Sequence, residues 1–169
     1  MKKIIIYLFL LNLFFLNAKA EIAFIDLNLI LNSSEVGKYL NAHINKIKND
    51  NIHKYKEIEK KLLDKEKTLI AQQNILDSSE FEKKFSALAK EVNKYKAEKK
   101  LSVDNLNKIK IDNTKKILTV LNPIITEYVE LNSISLVIPK KNIIIGKKDL
   151  DITGEIIKKL NINLKKLNF

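Results

Sequence analysis

The sequence predicts an α+β fold in which a long antiparallel helical hairpin, a coiled-coil arm, projects from a small β-body. Three observations predict it. The 169 residues include only three glycines and two prolines, so few positions interrupt a helix. Apolar residues recur in steps of three and four through most of residues 34–132. Short runs rich in β-branched residues flank that region on both sides.

The first twenty residues are typical of a secretory signal peptide. Lys2 and Lys3 form a basic start, residues 4–16 are apolar apart from Asn12, and a small-x-small pattern ends at Ala20. The alternative is a membrane anchor, but this apolar run is shorter than the roughly 20 residues needed to span a bilayer. We therefore expect cleavage after Ala20 and export from the cytoplasm. Three lysines leave with the peptide, which lowers the net charge from +11 to +8.

The segment after the cleavage site predicts a strand followed by the first long helix. Residues 22–27 form a short β-branched and aromatic run that is typical of a buried strand. Ser33 or Ser34 is a suitable N-cap, with an acidic residue in the first turn. The apolar steps then continue to Leu76, which indicates a helix roughly 60 Å long.

An interruption in the apolar pattern predicts the turn of the hairpin and the start of a second helix. Asp77 or one of the two serines after it can act as the N-cap. The apolar spacing is most regular between Phe81 and Tyr95. Further along, polar residues occupy seam positions at Lys99, Ser102 and Asn113. Pro123 is expected to kink the helix or to end it near Asn122.

After the hairpin the pattern changes to short strands and a final helix. Residues 134–138 and 142–145 are predicted to be strands, joined by a turn at residues 139–141. Asp151 or Thr153 is expected to cap the final helix.

These elements divide the chain into a signal peptide (residues 1–20), an arm (34–132) and a small oligomerisation body (21–33 with 133–169). The body has 50 residues, fewer than most domains that fold alone, and its sheet edges need partners. We therefore expect oligomerisation, and this argument allows a dimer or a trimer. The apolar residues assigned to the oligomer body are Phe24, Ile25, Leu136, Ile138, Ile143 and Ile145.

The composition argues against a catalytic or cofactor site. Without cysteine the chain has no disulfide and no thiolate metal site, and three glycines cannot form a Gly-rich phosphate loop. His43 and His53, ten residues apart, face different sides of a helix. We predict no enzyme activity, no metal and no cofactor. An exported chain whose basic residues are all lysine is also a poor nucleic-acid binder, because base readout relies on the arginine fork.

Three segments and the order of elements resemble a known family. The segments are Ile-Ala-Phe-Ile-Asp-Leu (22–27), Ile-Ser-Leu-Val-Ile-Pro (134–139) and Asp-Ile-Thr-Gly-Glu-Ile-Ile-Lys-Lys-Leu (151–160). With the long hairpin between them, the mature chain resembles the Skp/OmpH family of periplasmic chaperones. The resemblance implies a homotrimer with a central β-body and three arms around a cavity. It also implies an ATP-independent holdase that keeps unfolded outer-membrane β-barrel proteins there until they are inserted.

The resemblance further implies a diffuse binding site for unfolded client proteins on the arms. The residues assigned to it are Lys60, Lys61, Lys83, Lys84, Phe81, Phe85 and Tyr95. The three aromatic residues have a second interpretation as core of the hairpin. The basic arms favour acidic clients or an anionic lipid surface. The remaining alternatives are a passive spacer and a structural or adaptor protein of the cell envelope that binds a folded partner.

Overall fold

The computed structural model describes residues 21–169, and the predicted signal peptide lies outside the described residues. The elements in chain order are β1 (Glu21–Ile25), α1 (Leu27–Ser33), α2 (Glu35–Ala71), α3 (Ser78–Leu131), β2 (Ile134–Pro139) and α4 (Thr153–Asn163). Two short 3-10 turns, Lys140–Asn142 and Lys148–Leu150, lie between β2 and α4. The described chain is mostly helical, with long helices and one small strand pair.

The two strands pair in parallel, and the long helices form the connection between them. Ile22 pairs with Leu136 and Phe24 pairs with Ile138. Parallel strands require a crossover connection, usually a helix. Here the crossover consists of α1, α2 and α3, so the arm begins and ends at the same small sheet.

The predicted strand at residues 142–145 is wrong. The other edge of β1 is occupied by the segment before α4, where the Ile152 N–H donates to the Phe24 carbonyl at 3.1 Å. The chain after β2 instead folds over the Phe24 ring. Gly146 approaches that ring so closely that an added β-carbon would lie 3.0 Å from it. Ile144 and Ile145 are left 98% and 92% exposed. A short apolar run does not by itself distinguish a strand from an irregular loop.

The hydrophobic core lies at the base of the arm. It combines β1, α1, the start of α2, the last third of α3, and α4. Its fully buried apolar residues are Ile30, Val36, Ile117, Leu121, Ile156 and Leu160. The base therefore contains helical ends that belong to the arm in sequence, and the core does not coincide with the sheet.

The start of α2 is capped twice. The Ser34 hydroxyl oxygen accepts a hydrogen bond from the Gly37 N–H at 3.2 Å, which confirms one of the two predicted caps. Asn161 of α4 supplies the second cap, because its side-chain oxygen accepts from the Glu35 N–H at 2.8 Å. These two bonds satisfy N–H groups that a helix cannot pair internally. The Asn161 bond also holds α4 against the start of α2.

Of the two alternatives predicted at Pro123, a kink or a helix end, the helix end is wrong, since α3 continues to Leu131. A proline inside a helix costs about 3 kcal/mol relative to alanine. Pro123 itself is exposed, whereas Leu121 and Ile124 beside it are buried in the core of the base. Burial of those side chains offsets the lost backbone hydrogen bond. At the other end of the hairpin α2 stops at Ala71, earlier than predicted.

Asp77 is the N-cap of α3, which confirms one of the alternatives predicted for this position. Its carboxylate accepts from the Glu80 N–H at 2.8 Å.

The segment Asp-Ile-Thr before α4 joins three parts of the base. Asp151 accepts from the Thr153 N–H at 3.0 Å and from Lys140 at 2.9 Å. Ile152 is buried and occupies the N-cap position, so neither predicted residue is the N-cap itself. The Thr153 hydroxyl oxygen accepts from the Asp26 N–H at 2.9 Å, which ties the start of α4 to the end of β1.

Asp151 gives the base an acid-sensitive contact. Burial raises the pKa of Asp151, but the hydrogen bonds from Thr153 and Lys140 outweigh it and hold the pKa below the ordinary 3.8. A lowered folded pKa adds stability above the unfolded value, and that stability is lost as the pH falls through the folded pKa. We expect Asp151→Asn to lower the urea midpoint at about pH 6 and to have a smaller effect at about pH 3. The control, Asp149→Asn, removes an exposed carboxylate from the same loop. Equal effects of the two variants at both pH values would contradict this assignment.

Candidate functional site

The arm is a thin antiparallel pair of helices. At 1.5 Å per residue, α2 is about 55 Å long and α3 about 80 Å. Beyond the base, the buried side chains of the described arm are Tyr55, Leu69 and Asn113. Most of the arm surface is therefore in water, including residues at or near the seam.

Aromatic and ionic contacts hold the helices together along the arm. The Tyr55 hydroxyl donates to the Glu98 carbonyl at 3.0 Å, and the Tyr55 ring meets the Tyr95 ring edge-on with centroids 6.0 Å apart. Nearer the tip, Lys65 pairs with Glu91 at 2.6 Å. The ion pair is exposed and contributes little, so the half-buried aromatic pair is the stronger tie.

Tyr95, one of the predicted binding residues, is part of a hydrogen-bonded cluster between the helices. Its hydroxyl donates to Glu59 at 3.1 Å and accepts from Lys99 at 2.9 Å. The hydrogen bond to Tyr95, followed by the charges of Tyr95 and Glu59, raises the pKa of Lys99 above its usual value. Lys99 is exposed and does not fill the seam. The geometry favours the core interpretation for Tyr95.

The other predicted binding residues lie near the tip and do not form one cluster. Phe81 is half-buried and stacks on Phe85, with ring centroids 6.4 Å apart, while Phe85 is 59% exposed. Lys61 and Lys84 line the same groove, and Lys84 pairs with Glu80 at 3.2 Å. Lys60 and Lys83 are exposed.

A set of apolar side chains that the seam pattern did not indicate points into water along the arm. They are Ile52, Leu63, Ile70, Ile75, Leu101, Val103 and Ile111. Several are direct neighbours of seam residues; Leu63 follows Leu62 and Ile70 follows Leu69. Two successive residues of a helix cannot both face the seam. An apolar residue next to a seam residue therefore indicates an exposed apolar side chain, and the sequence contains such pairs.

Three apolar grooves are among the clefts between α2 and α3. The tip groove, of about 580 Å³, has Leu69, Ala87 and Leu88 in its lining. A second groove, of about 450 Å³, is lined by Leu63, Phe85 and other residues. The mid-arm groove, of about 410 Å³, lies nearer the base and is lined by Ile52, Tyr55, Val103 and Leu106, among others. Each is an open apolar surface with charged rims.

The residues assigned to the oligomer body differ in how much of each side chain is exposed and could contact another chain. Ile25 belongs to the core of the base, and Phe24 is buried under the loop after β2. Ile138 and Ile143 are half-buried. Leu136 is half exposed and Ile145 almost fully exposed. Ile22, which pairs with Leu136, is exposed too, so apolar surface remains on the sheet and, at Ile145, on the loop after it.

Within residues 21–169, no group of three or more histidine, aspartate or glutamate side chains is placed to hold a metal ion. His43 stacks on Phe169, with centroids 3.8 Å apart, and His53 is exposed. In the same part of the chain, no helix combines the length and apolar character needed to cross a membrane.

The comparisons with known proteins agree with this geometry. The family model described as "Outer membrane protein (OmpH-like)" matches residues 21–160. The fold is similar to a solved structure from Caulobacter crescentus, described as a candidate outer membrane chaperone (OmpH-like). The TM-score is 0.79 at 18% sequence identity, with 88% of each chain covered. No curated protein matches the sequence. Since the family match includes both strands, the whole arm and most of α4, the chain belongs to the OmpH-like family of outer membrane proteins.

Proposed function

We propose that the protein is an ATP-independent holdase chaperone of the periplasm that captures unfolded outer-membrane β-barrel proteins between its arms. The observation that carries this proposal is the set of exposed apolar side chains on a solvated, lysine-rich arm. Unfolded chains expose apolar segments, and burying them against such residues is favourable by about 25 cal/mol per Å². Membership in the OmpH-like family and the likeness to a candidate outer membrane chaperone support the same role.

The charge of the arm suits this activity. The mature chain carries a net charge of +8, and the lysines are spread along both helices. Long-range attraction speeds the capture of acidic clients and weakens with salt. Each contact can be weak, because several arms around one client act at high effective concentration.

We propose a homotrimer as the working form. The exposed apolar residues Ile22 and Leu136 of the sheet and Ile145 of the loop after β2 support association through the body. In this proposal residues 21–33 and 133–169 form the oligomerisation body and residues 34–132 form the arm. Three arms then surround a single cavity.

Export to the periplasm follows from the proposed signal peptide. The family match begins at residue 21, directly after the proposed cleavage site at Ala20, and this supports the boundary. Neither ATP nor another cofactor takes part in the proposed activity, and no catalytic step is proposed.

The proposal is tested with the mature chain and a urea-unfolded outer-membrane β-barrel protein. At a roughly stoichiometric ratio to the trimer, the chain should suppress the light scattering that follows dilution of the urea. The variant Ile70→Ser, Ile75→Ser, Phe85→Ser should need several-fold more protein for the same suppression, because it removes exposed apolar surface near the tip. The control Ile162→Ser removes an exposed apolar side chain from α4 and should behave as the parent does.

Two outcomes would count against the holdase. One is no suppression at several-fold excess of the parent chain. The other is recovery of one discrete folded partner in pull-downs together with indifference to unfolded clients, which would favour the structural or adaptor alternative. Binding to anionic vesicles without any effect on unfolded proteins would favour a lipid surface as the partner.

A further inference from the structure

The mid-arm groove carries a regular order of charge and apolar surface. On α2, Lys48, Ile52 and Lys56 follow at intervals of four residues, so they form one stripe along the groove. Val103 and Leu106 of α3 lie across from this stripe. Ile52 and Val103 are each 53% exposed, so the floor of the groove is accessible to another chain.

The rim is more basic than that of the other two grooves. It contains three lysines and one glutamate, whereas the tip groove has three lysines with two acids and the remaining groove has one lysine with two acids. Lys99 is engaged by Tyr95 and Glu59. Lys48 and Lys56 form no ion pair within residues 21–169. Two uncommitted cations therefore flank one apolar side chain.

The spacing of the stripe matches an extended peptide. Four residues of α-helix rise about 6 Å, and two residues of β-strand rise about 6.6 Å. Side chains on one face of an extended chain, at every second position, thus meet Lys48, Ile52 and Lys56 in turn. The mismatch over the whole stripe is about 1 Å, which flexible lysine side chains accommodate.

We propose that the mid-arm groove binds extended client segments of the pattern acid-x-apolar-x-acid, where x is any residue. The two carboxylates pair with Lys48 and Lys56, and the central apolar side chain covers Ile52 and Val103. This proposal rests on the proposed function and adds the chemistry of the client segment and its place on the arm. The proposal requires both the charges and their spacing, so a peptide of the same composition in a different order should bind more weakly.

The test measures fluorescence anisotropy of a fluorescein-labelled, serine-rich peptide that carries Glu-Ser-Ile-Ser-Glu at its centre. A matched peptide carries Glu-Ile-Ser-Ser-Glu, which has the same composition but places the isoleucine on the opposite face. The full mature chain should bind the first peptide about tenfold more tightly, because only that peptide buries its isoleucine between the two ion pairs.

Matched variants locate the binding to the groove. Val103→Asp should weaken binding of the first peptide about tenfold, whereas Ile111→Asp, equally exposed on the same helix and outside the grooves, should leave it unchanged. Lys56→Glu should weaken it, and Lys46→Glu should not. Circular dichroism at 222 nm checks that each variant keeps its helix content.

The outcomes separate this proposal from the holdase itself. Equal affinity for the two peptides, or equal effects of Val103→Asp and Ile111→Asp, would overturn the groove assignment even if the parent chain suppresses client aggregation. Peptide binding that survives Val103→Asp while binding to phosphatidylglycerol vesicles is lost would overturn it too, and would assign the groove to a lipid surface. Failure of the parent chain to suppress aggregation, with peptide discrimination intact, would remove the holdase and leave the groove as a peptide site.

Discussion

Gly37→Ala is expected to destabilise the base by about 3 kcal/mol or more. The added β-carbon would overlap the carbonyl oxygen of Leu31, and it would lie 2.9 Å from the Ser34 hydroxyl oxygen. Neither neighbour can move cheaply, since the first is backbone at the end of α1 and the second caps α2. The close approach of α1 to the start of α2 depends on this glycine.

Gly154→Ala is the matched control for this substitution. Gly154 lies in the first turn of α4, and apart from the adjoining backbone no atom is within 4 Å of the position where its β-carbon would be. Alanine there should stabilise the protein by a few tenths of a kcal/mol up to about 1 kcal/mol. Urea unfolding at one fixed protein concentration measures both variants, because any oligomerisation makes apparent stability depend on concentration. Similar midpoints for the two variants would refute the steric argument.

Leu121→Ala should cost about 2–5 kcal/mol of unfolding free energy. Leu121 is fully buried between elements of the base, and its truncation removes apolar contact and leaves a cavity. Leu101→Ala deletes the same atoms from the same helix, but Leu101 is 66% exposed on the arm and should change stability by less than about 0.5 kcal/mol.

The contrast between the two leucines separates the base from the arm. If the base carries most of the stability, the midpoint of the urea transition moves only for Leu121→Ala. A comparable loss for Leu101→Ala would mean that the arm contributes far more packing than its exposure indicates.

Local patterns predicted the helices well. Long helices follow from the scarcity of glycine and proline and from three- and four-residue apolar steps, because these are properties of neighbouring residues. The caps at Ser34 and Asp77 were among the predicted alternatives for the same reason. The alternative of a helix end at Pro123 is wrong because packing against distant residues outweighs the local cost of the proline.

The candidate site was predicted only in outline. The arm and its aromatic residues followed from the sequence, but the role of Tyr95 depends on Glu59 and Lys99, one of which lies on the other helix. The exposed apolar residues were missed because the seam pattern accounts only for side chains between the helices. Which of the remaining residues share a groove depends on the register of α2 against α3, and that register is set by contacts such as the bond from Tyr55 to Glu98.

By itself the sequence determined the order of the helices, the hairpin between two short strands and the basic, cysteine-free character of the arm, since each is a matter of composition or of spacing along one segment. The tertiary structure decided the rest. It paired the Ile152 backbone with the second edge of β1, and it brought Asn161 to the N-terminus of α2 across 126 residues. It also arranged Lys48, Ile52 and Val103 around one groove. These relations join residues far apart in the chain, and only the packing of whole elements fixes them.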